Sequence, residues 1–153
     1  MYRKILVPLD GSTVAEGVLS HAKALAYSEG AELILLTVGA NPALDFAFSD
    51  PGLAQNAILE QEERSKTYID QIEAELKSAG FRTSHLLRVG SVADVILGVA
   101  EELQVDVIAM STHGRTGPAR WLLGSIAERV VHSSKVPVLL IRAKVPRGGK
   151  KTK

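Results

Sequence analysis

The sequence predicts an α/β fold: one open, parallel, five-stranded sheet of Rossmann-like type with helices on both faces. Two observations lead there. Short β-branched runs alternate with segments of helical periodicity along the chain. Three of those runs are continuously apolar, as parallel strands covered on both faces must be.

The elements follow in order. Lys4-Ile5-Leu6-Val7-Pro8-Leu9 is the first strand. In the helix after it, Val14, Val18, Ala22, Leu25 and Ala26 share one face behind a Thr13-x-x-Glu16 capping box. Glu32 to Val38 is the second strand. Gly39 to Leu53, with Pro42 and Pro51 and little periodicity, reads as a loop that covers the carboxyl end of the sheet. A long polar helix then carries Ile58, Ile69, Ile72 and Leu76, and Gly80 closes it. Thr83 to Val89 is a third, more polar strand. Val92, Val95, Ile96, Val99, Ala100 and Leu103 form a helical stripe that Ser91 and Asp94 open. Val105 to Met110 is the fourth strand. The last helix begins near Ser125 with Ile126, Val130 and Val131, and Val136 to Ile141 is the fifth strand. Right-handed crossovers then give the expected strand order 3-2-1-4-5, with a ligand crevice between strands one and four.

At 153 residues the chain is expected to be one domain, residues 1–145, followed by a disordered basic tail at 146–153. The net charge of +1 gives no general pull toward nucleic acid or an anionic membrane. There are no cysteines, which excludes disulfides and thiolate metal sites. The opening Met1-Tyr2-Arg3-Lys4 leads straight into a strand pattern, without the features of a secretory signal. No apolar stretch approaches a membrane span, so the expected address is the cytosol.

Two segments can carry chemistry. Met110 to Ser125 is a glycine-punctuated loop between a buried strand and a helix. Glycines allow close backbone approach, and the free N–H groups of the following helix make an anion site. Arg115 and Arg120 add positive charge. The bland alternative is a long loop in which Ser125 and Glu128 form a capping box. Asp10, in Pro8-Leu9-Asp10-Gly11-Ser12, places a carboxylate at the end of strand one. It can accept a ribose hydroxyl or hold magnesium, or it can simply begin a turn with Gly11. His113 is read as a positioning residue, because no second histidine or carboxylate is close in sequence. His21, His85 and His132 carry no visible pattern, and Trp121 is expected to pack the helix start.

These segments together resemble the universal stress protein family. The resemblance runs from Lys4 to Ser12, through Leu35 to Val38, Val89-Gly90-Ser91 and Ser111 to Val130, to the closing Val136 to Ile141. Gly114, nine residues, then Gly124-Ser125 match the phosphate loop of the family's ATP-binding members; Ser111 stands where their first glycine does. The resemblance implies that Pro8, Leu9 and Val38 line an adenine pocket and that Asp10 binds ribose, with magnesium accompanying ATP. It implies that Met110, Ser111, His113 and Gly114 wrap ribose and phosphate, while Gly124, Ser125 and Ile126 cradle the phosphates; the charge of Arg115 adds it to the expected binding residues. It also implies a homodimer formed through Val138, Leu139, Leu140 and Ile141, since an apolar edge strand needs cover.

The expected function is a cytosolic, ATP-binding regulatory protein of the stress-response type with slow or no hydrolysis. No Walker lysine follows a glycine loop, and no catalytic base is evident. The alternatives are an interaction module without nucleotide and, further off, an adenylylating enzyme. The latter lacks a Ser-Gly-Gly type pyrophosphate loop after strand one.

Overall fold

The first strand shows why the apolar runs are continuous. On β1 (Lys4–Pro8), Ile5, Leu6 and Val7 are all fully buried. Successive side chains point to opposite faces of a sheet, so both faces of this one are covered. The computed structural model describes residues 1–39, 51–113 and 124–143, with the backbone alone at 51–54, 113 and 143. The tail 146–153 and most of the segment expected to cover the sheet lie outside these.

After β1 come α1 (Thr13–Glu16), α2 (Leu19–Glu29), β2 (Glu32–Gly39), α3 (Pro51–Ser78) and β3 (Thr83–Val89). α4 (Val92–Glu102), β4 (Val107–His113), α5 (Ser125–Ser133) and β5 (Val138–Ala143) complete the order. Every strand pair is parallel, and the sheet order is β3-β2-β1-β4-β5, as expected. On one face, Ile5, Val7, Leu33 and Leu35 meet Ala22 and Ala26 of α2 and Ile69, Ile72 and Leu76 of α3. On the other, Leu6, Ile34, Leu36 and Ile108 meet Ile96 and Val99 of α4 and Ala127 and Val130 of α5. Each fully buried aliphatic side chain contributes about 1.5–3 kcal/mol, so these two layers hold the sheet rigid beneath whatever its ends carry. Among the described residues, no helix is long and apolar enough to cross a membrane.

Local structure corrects the expected boundaries in four places. The helix after β1 is two helices, broken at Gly17 and Val18. Its cap is Ser12, whose side chain accepts the Ala15 N–H, and not Thr13. The break separates Val14, half-buried, from Val18, which is fully buried. α3 starts at Pro51, inside the expected loop. Proline lacks an N–H that the first helical turn would leave unpaired anyway, so here it starts a helix instead of stopping one. Gly80 closes α3 as predicted: with φ of 88°, its N–H reaches the Lys77 carbonyl and the Phe81 N–H reaches that of Leu76. In α5, Ser125 is the first helical residue, and Gly124 is the N-cap without a side-chain cap. The Ser125–Glu128 capping box is therefore absent. α5 buries Ala127 and Val130, while Ile126 and Val131 are exposed. Lastly, β4 and β5 each begin two residues later than expected and run two or three residues further.

The amino end of the sheet is fastened by Asp106. Its Oδ2 accepts the N–H groups of Arg3 at 2.7 Å and Lys4 at 2.8 Å. Those backbone bonds, Arg3's first, hold the Asp106 carboxyl below its ordinary pKa. A depressed carboxyl contributes stability that is complete above its unfolded pKa and is lost as pH falls through its folded one. Asp106→Ala should therefore cost about 1 kcal/mol at neutral pH, the small end for a charged acceptor because the group lies close to solvent. Denaturant unfolding as a function of pH checks this: the gap between wild type and variant should close on acidification, and a gap that is constant down to pH 3 would refute it.

Candidate functional site

β1 and β4 pair only near their starts, Ile5 with Val107 and Leu6 with Ile108. β1 then ends at Pro8, while β4 runs on beside β5 to His113. The chain leaves β1 toward β2 and leaves β4 toward β5, so the gap between them stays open. A cavity of about 300 Å³ occupies it.

Nine predicted site residues come together around this cavity: Pro8, Leu9, Asp10, Val38, Met110, Ser111, Gly124, Ser125 and Ile126. His113 ends β4, and only its backbone is described. Gly114, Arg115, Arg120 and Trp121 lie outside the described residues. The sequence reading missed several lining residues. Val14 of α1 and Val92 and Ile96 of α4 had been assigned to core faces, and Thr112 had no assignment. Helical periodicity identifies a buried face but does not reveal that one end of it meets a cavity.

The two ends of the cavity differ. One is apolar, with Pro8, Leu9, Val38 and Met110. It also presents backbone. The Leu9 N–H donates to the Leu36 carbonyl at 2.8 Å, so Leu36 addresses β1. In a parallel ladder alternate residues address the same neighbour, which places the N–H and C=O of Val38 on that side too. β1 has already ended there, so both groups point past it into the crevice. The Gly90 N–H donates to the Gly39 carbonyl, which confirms that the intervening register faces β3.

The other end offers donors. α5 starts without a side-chain cap, and its first internal bond is the Glu128 N–H to the Gly124 carbonyl at 2.9 Å. The N–H groups of Ser125, Ile126 and Ala127 thus have no helical partner, and the positive end of the helix dipole lies at the cavity wall. Gly124 has φ of 82°, in the left-handed region. Two buried hydroxyls, those of Thr37 and Ser111, find no partner among the described residues, and Ser111 lines the cavity.

Asp10 is the one charged residue in the described lining. Its Oδ1 accepts the Ser12 N–H at 2.9 Å. The turn reading of Asp10 therefore holds. The carboxylate begins a turn, and the turn fixes it at the cavity with Oδ2 left outside that bond.

His85 has the pattern that the sequence reading did not see. Its Nδ1 lies 2.8 Å from Glu73 and its Nε2 lies 3.4 Å from Asp70. Asp70, Glu73 and His85 group closely enough to resemble a cation site. However, the two carboxylates engage opposite ring nitrogens, and Lys77 already pairs with Glu73 at 2.8 Å. The arrangement is a hydrogen-bonded staple between α3 and β3.

Comparison with known proteins agrees with this architecture. The family model described as the universal stress protein family matches residues 1–142. Universal stress protein MJ0577 of Methanocaldococcus jannaschii is 34% identical over 163 residues, spanning 94% of this chain and 97% of that protein. Its solved structure covers 94% of this chain and 98% of its own, with a TM-score of 0.81. A universal stress protein of Methanothermobacter thermautotrophicus is 35% identical over 147 residues, 93% of this chain and 97% of that protein. The universal stress protein of Archaeoglobus fulgidus, solved in complex with dAMP, shares the fold with a TM-score of 0.65 at 21% identity, over 92% and 98% of the two chains. With a match from Met1 to Arg142 and identities of 34% and 35% over nearly full length, the chain belongs to the universal stress protein family.

Proposed function

We propose that this chain is a cytosolic regulatory protein that binds ATP, with magnesium, in the crevice between β1 and β4 and hydrolyses it slowly or not at all. The observation that carries the reading is the uncapped amino end of α5 at the cavity wall. Three N–H groups without a partner among the described residues and a helix dipole favour a phosphate there. The Ser111 hydroxyl and the Ser125 side chain add polar contacts, and Gly124 keeps the approach clear. At the apolar end, the Val38 N–H and C=O complement the N1 acceptor and N6 amino donor of adenine. Asp10 accepts a ribose hydroxyl. His113, Gly114 and Arg115 complete the phosphate side in this proposal.

The described lining supports slow turnover: its single carboxylate, Asp10, is engaged by the Ser12 N–H on Oδ1 and, in this proposal, by a ribose hydroxyl on Oδ2. The dAMP complex of the Archaeoglobus fulgidus protein speaks to the fold at its level of identity, so the nucleotide reading rests on this chain's own site. We extend the proposal to a homodimer joined through β5. That strand is an edge of the sheet, and its Val138, Leu139, Leu140 and Ile141 are only partly buried.

Two experiments test the reading. Protein purified without added nucleotide is denatured, and the supernatant is resolved for adenine nucleotides. In parallel, thermal unfolding is followed with Mg-ATP and Mg-GTP. A shift with Mg-ATP that exceeds the shift with Mg-GTP is expected. No released nucleotide and no shift would sink the proposal in favour of an interaction module, and release of AMP with pyrophosphate would favour an adenylylating enzyme. Sedimentation at micromolar concentration should show a dimer, and a monomer would remove the β5 interface.

Gly124→Ala gives a sharper check. Among the described residues a Cβ there would meet only Thr112 Oγ1, at 4.0 Å, so these leave it space. The cost is the positive-φ backbone, about 1–3 kcal/mol. The variant should melt lower and lose affinity for ATP more than for adenosine, because the strained residue is the N-cap of α5. Equal losses for both ligands would contradict the phosphate assignment.

A further inference from the structure

α1 is a single turn of four residues, and none of them is fully buried. One helical turn is too short to hold its shape unaided. Yet it flanks the crevice with Val14 and Ala15, and it is continuous with the turn that fixes Asp10. Ser12 joins the two: its N–H donates to Asp10, and its hydroxyl accepts the Ala15 N–H at 3.1 Å.

The side-chain tether of α1 is Glu16. The Tyr68 hydroxyl donates to Glu16 Oε1 at 3.1 Å across 52 residues of sequence. Tyr68 stands on α3 beside Ile69, which is fully buried, so the donor sits on a firmly packed stretch of helix. Burial, followed by the Glu16 bond and the charges of Glu16 and Asp10, raises the pKa of this hydroxyl. It therefore stays protonated and remains a donor, and the Asp10 charge lies close enough to be felt there.

We propose that Tyr68, acting through Glu16, is a positioning residue for ribose recognition: it anchors α1 to α3, and α1 in turn holds the Asp10 carboxylate where a ribose hydroxyl meets it. The inference rests on the nucleotide reading above. Leu9 and Ala15 give this surface apolar contacts on either side of Asp10, and the Tyr68–Glu16 hydrogen bond adds a directional tether to α3.

The test is equilibrium binding of Mg-ATP and of Mg-2′,3′-dideoxyATP, which lacks both ribose hydroxyls. Wild type should prefer ATP by about tenfold or more, the equivalent of one hydrogen bond to a charged acceptor. Tyr68→Phe, which keeps the ring, should bring that preference below about threefold while leaving dideoxyATP affinity within about twofold. Glu16→Gln retains an acceptor and should keep the wild-type preference, whereas Glu16→Ala should behave as Tyr68→Phe does. Thermal unfolding confirms that each variant is folded before it is compared. A Tyr68→Phe variant with the wild-type preference, or one that loses affinity for both ligands alike, overturns the proposal and leaves nucleotide binding intact. Wild type that binds neither ligand removes the nucleotide reading and this inference with it. Wild type that binds both equally removes the ribose role of Asp10 and, again, the inference.

Discussion

The reversal of strand order between β1 and β4 is the constraint on which the rest of the molecule depends. The crossovers leave these two strands in opposite directions. Side chains from α2 and α3 can close one face of the sheet, and those from α4 and α5 the other. Neither layer fills the gap at the carboxyl ends, where β1 stops and β4 continues. The cavity is thus a product of topology before any particular residue contributes to it, and the residues that line it are the ones that happen to end strands or begin helices at that edge.

Much of this was legible in the sequence because it depends on periodicity. β3 has the predicted bounds, and the strand order followed from alternating elements and the handedness of crossovers. Nine predicted site residues share one cavity because strand ends are easily located. What the sequence hid was governed by local backbone or by distant partners. Pro51 reads as a breaker unless the turn that it starts is known. Ser125 fits a capping box in sequence, yet Gly124 takes the cap position with a positive φ that only the fold specifies. His85 finds Glu73 and Asp70, and Tyr68 finds Glu16, across separations that no local pattern spans.

One of those hidden features lies where the chain departs from what stability alone would favour. A serine at the helix start with a capping partner is the more stable arrangement, and the structure forgoes it. The Ser111 hydroxyl is buried without a described partner, although burying an unpaired polar group is costly. Gly124 adopts a conformation that any other residue would resist. Local rules are broken in natural proteins chiefly where function requires it, and here three departures converge on one cavity. A single departure is weak evidence. Their convergence is what gives the anion-binding reading its force.

The same logic separates scaffold from site along β1 itself. Ile5, Leu6 and Val7 are held by both core layers, and three residues later Asp10 is exposed. The buried Leu9 beside it fixes the backbone, but packing does not aim the exposed carboxylate. It needs a chain of hydrogen bonds to hold it, and such a chain runs from Asp10 through Ser12 and α1 to Glu16 and Tyr68. The length of that chain is informative. Catalytic and binding groups lose their value when displaced by about 1 Å, so an exposed group tied back to a rigid helix by successive bonds is better explained by a need for position than by a need for stability.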